Sequence, residues 1–270
     1  MDNENRTVSL AVMSGKGGVG KTNLALNLGY AFYEAGHHGM LMDCDLGLAN
    51  LDVLLGLSPE HNLQDLLREG VDTTQVLAAV EQGLDILPAA SGVPELVEMD
   101  EDLQEVLFQK LLALVGRYDF LLLDLGAGIS KTVLAFAAIS QVRLVVVTPE
   151  PTSLTDSYAL IKVLKNQYGV KDFLVVVNMA EDAAEGKQTF ARLEAACSNF
   201  LGLTPRYLGA VRQDPALIEA VRSQTPLLKH APECAASKDV RTLARKILTY
   251  RAENMQSISQ RPVLKAFPAL

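Results

Sequence analysis

Four apolar runs punctuate the chain: VSLAVM at 8–13, FLLLDL at 120–125, RLVVVT at 143–148 and FLVVVN at 173–178. Each is about one strand long and rich in Val and Leu. None alternates apolar with polar side chains, so each is expected to be a strand buried on both faces of a parallel sheet. Between them, apolar residues return at helical spacing. Leu24, Leu28, Ala31 and Phe32 do so after a glycine-rich stretch, and Asp102–Val115 and Thr155–Tyr168 repeat the pattern. Weaker strands are expected at Gly39–Asp43, Leu84–Pro88 and Tyr207–Val211. Strand and helix alternate without a linker, internal repeat or low-complexity tract. That order predicts one doubly wound α/β domain, a mostly parallel sheet with helices on both faces.

The last helix is expected from Lys238 to about Ala252, with Val240, Leu243, Ala244, Ile247 and Leu248 as its apolar stripe. Arg241, Arg245, Lys246 and Arg251 lie largely off that stripe. The domain is therefore expected to span 1–252. The closing residues hold two prolines, so 253–270 reads as an irregular tail.

Composition narrows the class. Of 270 residues, 49% are apolar and 21% charged, which is a globular balance. A net charge of −8 argues against broad, non-specific adhesion to nucleic acid or anionic lipid. No apolar run approaches the roughly 20 residues that a helix needs to cross a bilayer. Cys44, Cys197 and Cys234 are far apart and form neither a C-x-x-C pair nor a disulfide framework. With no signal peptide ahead of Val8, a reducing cytoplasm is the expected location. His37, His38, His61 and His230 read as turn and surface residues. The acidic run PELVEMDEDLQE (94–105) reads as a solvated helix start that could meet a basic partner.

The chemistry is concentrated in SGKGGVGKT, Ser14 to Thr22. It lies between a predicted strand and a predicted helix, the context that makes G-x-x-x-x-G-K-[ST] a triphosphate site. Gly15, Gly17, Gly18 and Gly20 let the loop curl so that backbone N–H groups, including that of Val19, point inward at phosphate. The helix N-terminus adds its positive end. Lys21 is expected to reach the β/γ-phosphates and Thr22 to bind Mg²⁺. ATP and Mg²⁺ are thus the expected ligands. Lys16 is a second lysine that the motif does not require. From the residues alone, it can be a solvated loop side chain.

The pattern K-G-G-V-G-K-[ST] resembles the deviant phosphate loop of the MinD/ParA/nitrogenase-iron-protein class. The resemblance implies that Lys16 crosses a dimer to the partner's nucleotide, neutralising charge on the transferring phosphoryl as an arginine finger does. It extends from about Val8 to Leu248. MLMDCDLGLANLDVLLGL (40–57) is similar to the first switch, where Asp45 takes the place of the catalytic aspartate that orients water near Mg²⁺; Asn50 follows at the family spacing. FLLLDLGAGIS (120–130) resembles the second switch, with Asp124 on the metal side and Gly126 and Gly128 lending mobility. TPEPTSLTDSYALIK (148–162) looks like the segment near the dimer face. Asn178 matches the asparagine that hydrogen-bonds adenine. Met179 stands where the family usually has arginine, and Arg212 where it commonly has proline.

Within the class, DLGAGIS, PTSLTDSYALIK and AVRSQTPLLKHAPECAASKDVRTLA are most similar to the FlhG branch (FleN, YlxH), regulators of flagellar number and placement. The resemblance implies an ATPase that homodimerises on ATP and acts with flagellar proteins or an FlhF-like GTPase. Only MDNENRT precedes the first strand, so the extension that stimulates FlhF in typical members is expected to be missing or cut short. The family's membrane-binding helix has a weak counterpart in the tail, where Val263, Leu264 and Phe267 lie beside Arg261 and Lys265. That implies at most a weak peripheral contact with the inner membrane face. A related MinD-like regulator not linked to flagella is the alternative within the class. Three other classes share the loop. A redox ATPase needs paired cysteines at a dimer axis, a DNA-partition ATPase needs a basic face, and an amide-forming synthetase needs a glutamine-hydrolysing unit. The sequence favours none of them.

Overall fold

The computed structural model describes residues 7–45, 51–68, 72–89 and 100–264. In chain order the elements are β1 (Val8–Ser14), α1 (Lys21–Glu34), β2 (Gly39–Cys44), α2 (Leu51–Leu55), a 3₁₀ turn (Leu63–Leu67), β3 (Ala78–Glu81), β4 (Leu84–Leu87) and α3 (Glu101–Val115). They continue with β5 (Phe120–Ala127), α4 (Lys131–Ile139), β6 (Val142–Val147), α5 (Pro151–Tyr168), β7 (Leu174–Ala180) and α6 (Ala183–Leu201). The last are β8 (Arg206–Arg212), α7 (Ala216–Arg222), α8 (Leu227–His230) and α9 (Ala235–Ser259).

Among the described residues the strands form one sheet in the order β3-β4-β2-β5-β1-β6-β7-β8, parallel except for β3, which pairs antiparallel with β4. The sheet is covered on both faces, as the unalternated runs require. One core packs α3, α4, α5 and α6 against alternate strand positions such as Met13, Leu123, Val145 and Val175. The other packs α1 and α9 against Leu10, Val12, Leu122, Leu144 and Val176. β1 lies between β5 and β6, so the loop after it leaves from the middle of the sheet. That is where ligands meet open α/β sheets, outside the carboxyl ends of the strands.

The end of the chain differs from expectation. α9 does not stop near Ala252 but runs to Ser259. Residues 253–259 contain neither Pro nor Gly, and Ile258 falls on the same face as Val240, Leu243, Ala244 and Ile247, where it is buried. The tail then passes under the sheet. Ile258 packs in the core on the α1 side, whereas Val263 and Leu264 are buried in the opposite core. In this conformation two of the apolar residues expected to face a membrane are core residues. Phe267 and Lys265 lie outside the described residues, as do Asn50 and residues 94–99 of the acidic run.

Candidate phosphate and base site

The loop after β1 is shaped by close approaches. Gly18 and Gly20 have φ of 76° and 84°, a left-handed conformation that glycine adopts without strain. Gly15 faces the backbone of α5: a Cβ there would lie 2.1 Å from the Asp156 carbonyl carbon. The loop therefore rests directly on α5. The Asn178 amide, at the end of β7, donates to the Val19 carbonyl at 2.8 Å and holds the other side of the loop. The tip, Gly17 and Gly18, is exposed.

Lys21 and Thr22 begin α1, so their side chains come off the helix N-terminus beside the loop. Lys21 is buried. Burial lowers its pKa, opposed by the charges of Asp124 and Asp45, which places both carboxylates within electrostatic reach of its ammonium. Asp124 stands level with Val12 of β1 and Asp43 of β2 in the parallel register. Its pKa is raised to about 7, chiefly by burial and further by Asp43; a hydrogen bond with the Thr22 hydroxyl and the charge of Lys21 act against this.

The Asp124 Oδ1 atom is buried with no hydrogen-bond partner. A buried carboxylate oxygen with an open valence, next to a threonine hydroxyl, fits hydrated Mg²⁺. No cluster of three or more His, Cys, Asp or Glu able to hold a metal occurs among the described residues. Mg²⁺ does not need one at such a site, because it takes its remaining ligands from phosphate and water.

Asp45 follows β2 and faces the same space: a Cβ on Gly126 would lie 3.5 Å from its carboxyl group. The strand-end aspartate before it holds the turn. Asp43 Oδ1 accepts from the Asp45 N–H at 3.0 Å and Oδ2 from the Leu51 N–H at 3.3 Å. Asp43 thus holds the backbone at both residue 45 and residue 51, a role for which the sequence gives only the D-x-D spacing as a signal.

Lys16 points elsewhere. Its ammonium is bonded to the Glu150 carboxylate and lies 3.1 Å from the Thr152 hydroxyl, at the start of α5. The pair is well exposed, so holding it contributes little to stability.

A cavity of about 1000 Å³ opens from Gly20 along α1, lined by Asn23, Asn27, Thr148, Asn178, Met179 and the loop 211–215. This size accommodates a nucleoside. Arg212, unexpected at its position, is explained by its fork on Asp239: Nε and Nη2 lie 2.8 and 2.9 Å from the two carboxylate oxygens. Asp214 accepts from the N–H groups of Ala216 and Ala236 at 3.0 and 3.2 Å. Together the two pairs tie the loop 211–215 to the N-terminus of α9. Thr148 and this clamp are absent from the sequence reading. A Thr ending a parallel strand two places from β5 is the signal that could have marked the first.

The ParA family model, described as NUBPL iron-transfer P-loop NTPase, matches residues 5–248. Antiactivator FleN of Pseudomonas aeruginosa is 39% identical over 238 residues, 88% of this chain and 85% of FleN. Flagellum site-determining protein YlxH of Helicobacter pylori is 33% identical over 246 residues, 90% of this chain and 82% of its own. Among solved structures, the MinC:MinD cell division complex of Aquifex aeolicus aligns with a TM-score of 0.72 and 26% identity, covering 90% of this chain and 96% of that one. MinD of Pyrococcus horikoshii, solved with Mg-ADP, shares the fold at a TM-score of 0.70 and 24% identity, covering 94% and 98%. With its glycine-rich loop after β1 and buried Asp124 beside Thr22 in the places described, the chain belongs to the ParA/MinD family of P-loop ATPases, in the FlhG-like branch with FleN and YlxH.

Proposed function

We propose that this ATPase is a dimerisation switch that sets the number or position of flagella, with Mg-ATP as the signal and hydrolysis as the timer. The observation that carries the switch is the placement of Lys16. It lies on the rim of the phosphate loop, held by Glu150 and Thr152 of its own chain rather than turned toward Lys21 and Asp124. A lysine held outside its own site is free to serve a second copy. The flagellar role rests on the similarity to FleN and YlxH.

In this reading the N–H groups from Gly15 to Lys21 cradle the phosphates, and Lys21 holds the β/γ oxygens. Thr22 and Asp124, the latter through water or the Thr22 hydroxyl, would hold Mg²⁺, which would neutralise charge on the β- and γ-phosphates. Asp45, positioned by Asp43, orients the attacking water. Lys16 of each protomer leaves Glu150 for the nucleotide of its neighbour. Asn178 contributes its remaining amide oxygen to adenine.

The partners expected are a second copy, then flagellar proteins or an FlhF-like GTPase. Nucleic acid is disfavoured, because the basic residues of α9 are engaged internally: Arg241 with Glu34, Arg251 with Asp119, Lys238 with Glu233 and Lys246 on the Leu208 carbonyl. No helix among the described residues is long and apolar enough to cross a membrane. Peripheral contact would have to come from the tail.

Light scattering on Asp45→Ala with Mg-ADP and with Mg-ATP tests the switch. A dimer only with Mg-ATP is expected, and a monomer in both conditions at high concentration would remove the in-trans role of Lys16. Lys16→Ala should keep its affinity for Mg-ADP while losing most of its turnover; unchanged turnover would return Lys16 to an ordinary surface lysine.

A further inference from the structure

Two residues in the wall of the large cavity are unfavourable for the fold as it stands. Met179 has φ of 57°, the left-handed region that residues with a Cβ avoid. Thr148 is 3% exposed, and its hydroxyl has no hydrogen-bond partner. Each feature costs stability. Both stand at the carboxyl ends of adjacent strands: Val147 of β6 pairs with Val177 of β7, so Thr148 comes level with Asn178, next to Met179.

Met179 makes a bulge. Val177 pairs with Ala210 but Ala180 pairs with Arg212, so β7 carries one residue more than β8 over this interval. The bulge has two effects. It leaves the Asn178 amide on the Val19 carbonyl at 2.8 Å, and it turns Met179 into the cavity, 36% exposed. The Met179 methyl group lies 3.5 Å from where a Cβ on Gly20 would stand, so the thioether covers the end of the phosphate loop. Glycine or asparagine would make the same bulge with less strain. An apolar side chain here, partly in water, has its use in what enters the cavity. The cavity lining includes further apolar side chains, Leu24, Leu217 and Val240 among them.

We propose that Met179 and Thr148 read the base: the Met179 thioether packs on the purine face, and the Thr148 hydroxyl makes its missing hydrogen bond to the purine edge. Sulfur against an aromatic ring is a favourable contact. This rests on the reading that the nucleotide occupies this cavity. The base contacts of the chain then differ from a purely polar set, and Met179 substitutes for a cation by stacking.

The test uses two variants that relieve the local fault while removing the contact: Met179→Asn, which tolerates the left-handed backbone, and Thr148→Val, which keeps the shape without the hydroxyl. Calorimetry would compare Mg-ADP with inorganic triphosphate plus Mg²⁺, which has no base, and melting would be followed without nucleotide. Each variant is expected to bind Mg-ADP roughly five- to tenfold more weakly. Triphosphate affinity should be unchanged and the melting point no lower than the parent's. Unchanged Mg-ADP affinity in both variants would overturn the proposal, as would equal losses for ADP and triphosphate. A parent chain that binds neither ligand would instead remove the nucleotide-site reading on which it stands.

Discussion

The sharpest physical constraint on any one residue falls on Gly15. Its Cα lies against the Asp156–Ser157 peptide of α5, at distances where a Cβ would meet backbone atoms at 2.1–2.4 Å. Backbone on both sides cannot step aside as the end of a flexible side chain can. Gly15→Ala is therefore expected to destabilise the protein by about 2–4 kcal/mol and to weaken Mg-ADP binding with it. Urea unfolding would check this, and a loss below about 0.5 kcal/mol would show that loop and helix separate easily. Lys21→Ala separates binding from catalysis when set beside Asp45→Ala. The first should lose nucleotide altogether, and the second should hold ATP without hydrolysing it, which equilibrium dialysis and phosphate release can measure. At this scale much was legible. The glycines, Lys21 and Thr22 are expected from residue type and spacing, whereas Asp124 is marked only by the family resemblance. Met179 is marked only as a departure from the family's arginine and Thr148 only by its place at a strand end; the left-handed φ and the orphaned hydroxyl depend on the backbone path and packing, which residue type does not encode.

Helix α2 shows how short elements depend on distant residues. Five residues cannot form a stable helix alone. Its first N–H, on Leu51, is taken by Asp43, and the Gln224 side-chain amide donates to the Val53 carbonyl at 3.0 Å. Gln224 is itself held at φ 51°, and it packs where a Cβ on Gly56 would meet its Oε1 at 2.8 Å. The backbone at Asp45 and the start and middle of α2 are thus held by side chains from elsewhere in the chain. Gln224→Ala keeps the same backbone strain and removes only the amide, so it should cost about 0.5–1.5 kcal/mol and speed hydrogen exchange at the α2 amides. Unaltered exchange at Leu55–Leu57 would mean that the amide does not hold the helix. No sequence pattern announces a partner 171 residues away. Strands with continuous Val and Leu were legible, as were helices with clear stripes. The four-residue β3 and the five-residue α2 carry too few positions for any period to emerge. Helix α6 could have been found from Phe190, Leu193, Cys197 and Leu201 with Asp182 at its N-cap and Gly202 after it, but its many polar residues hide it beside the apolar runs.

Across the whole molecule, β1 joins two opposite ends. Ser14 opens the phosphate loop, while Ser9, roughly 17 Å away along the strand, sits under the tail. The Ser9 hydroxyl donates to the Val263 carbonyl, and Ser9 exchanges hydrogen bonds with Gln141: its N–H donates to Oε1 at 3.0 Å, and its Oγ accepts from the Gln141 N–H at 2.9 Å. The Gln141 amide then donates to the carbonyls of Ile258 and Arg261 at 3.1 and 2.8 Å. One buried glutamine therefore ties β1 to both sides of the tail crossing. Val263 and Leu264 cannot fill the core and enter a lipid surface at once. Membrane contact through this tail requires that it first leave its seat, at the cost of the burial of both side chains and of the three hydrogen bonds that Ser9 and Gln141 donate to its carbonyls. Leu264→Ala should lower stability by about 2–4 kcal/mol, whereas Gln141→Ala should loosen the crossing with the apolar seat intact. In Gln141→Ala, chymotrypsin is expected to cut after Leu264, buried in the parent, much faster than in the parent, and co-sedimentation with anionic vesicles should rise with it. Faster cleavage with no gain in vesicle binding would confine the tail to a structural strap, and membrane recruitment would have to come from a partner protein.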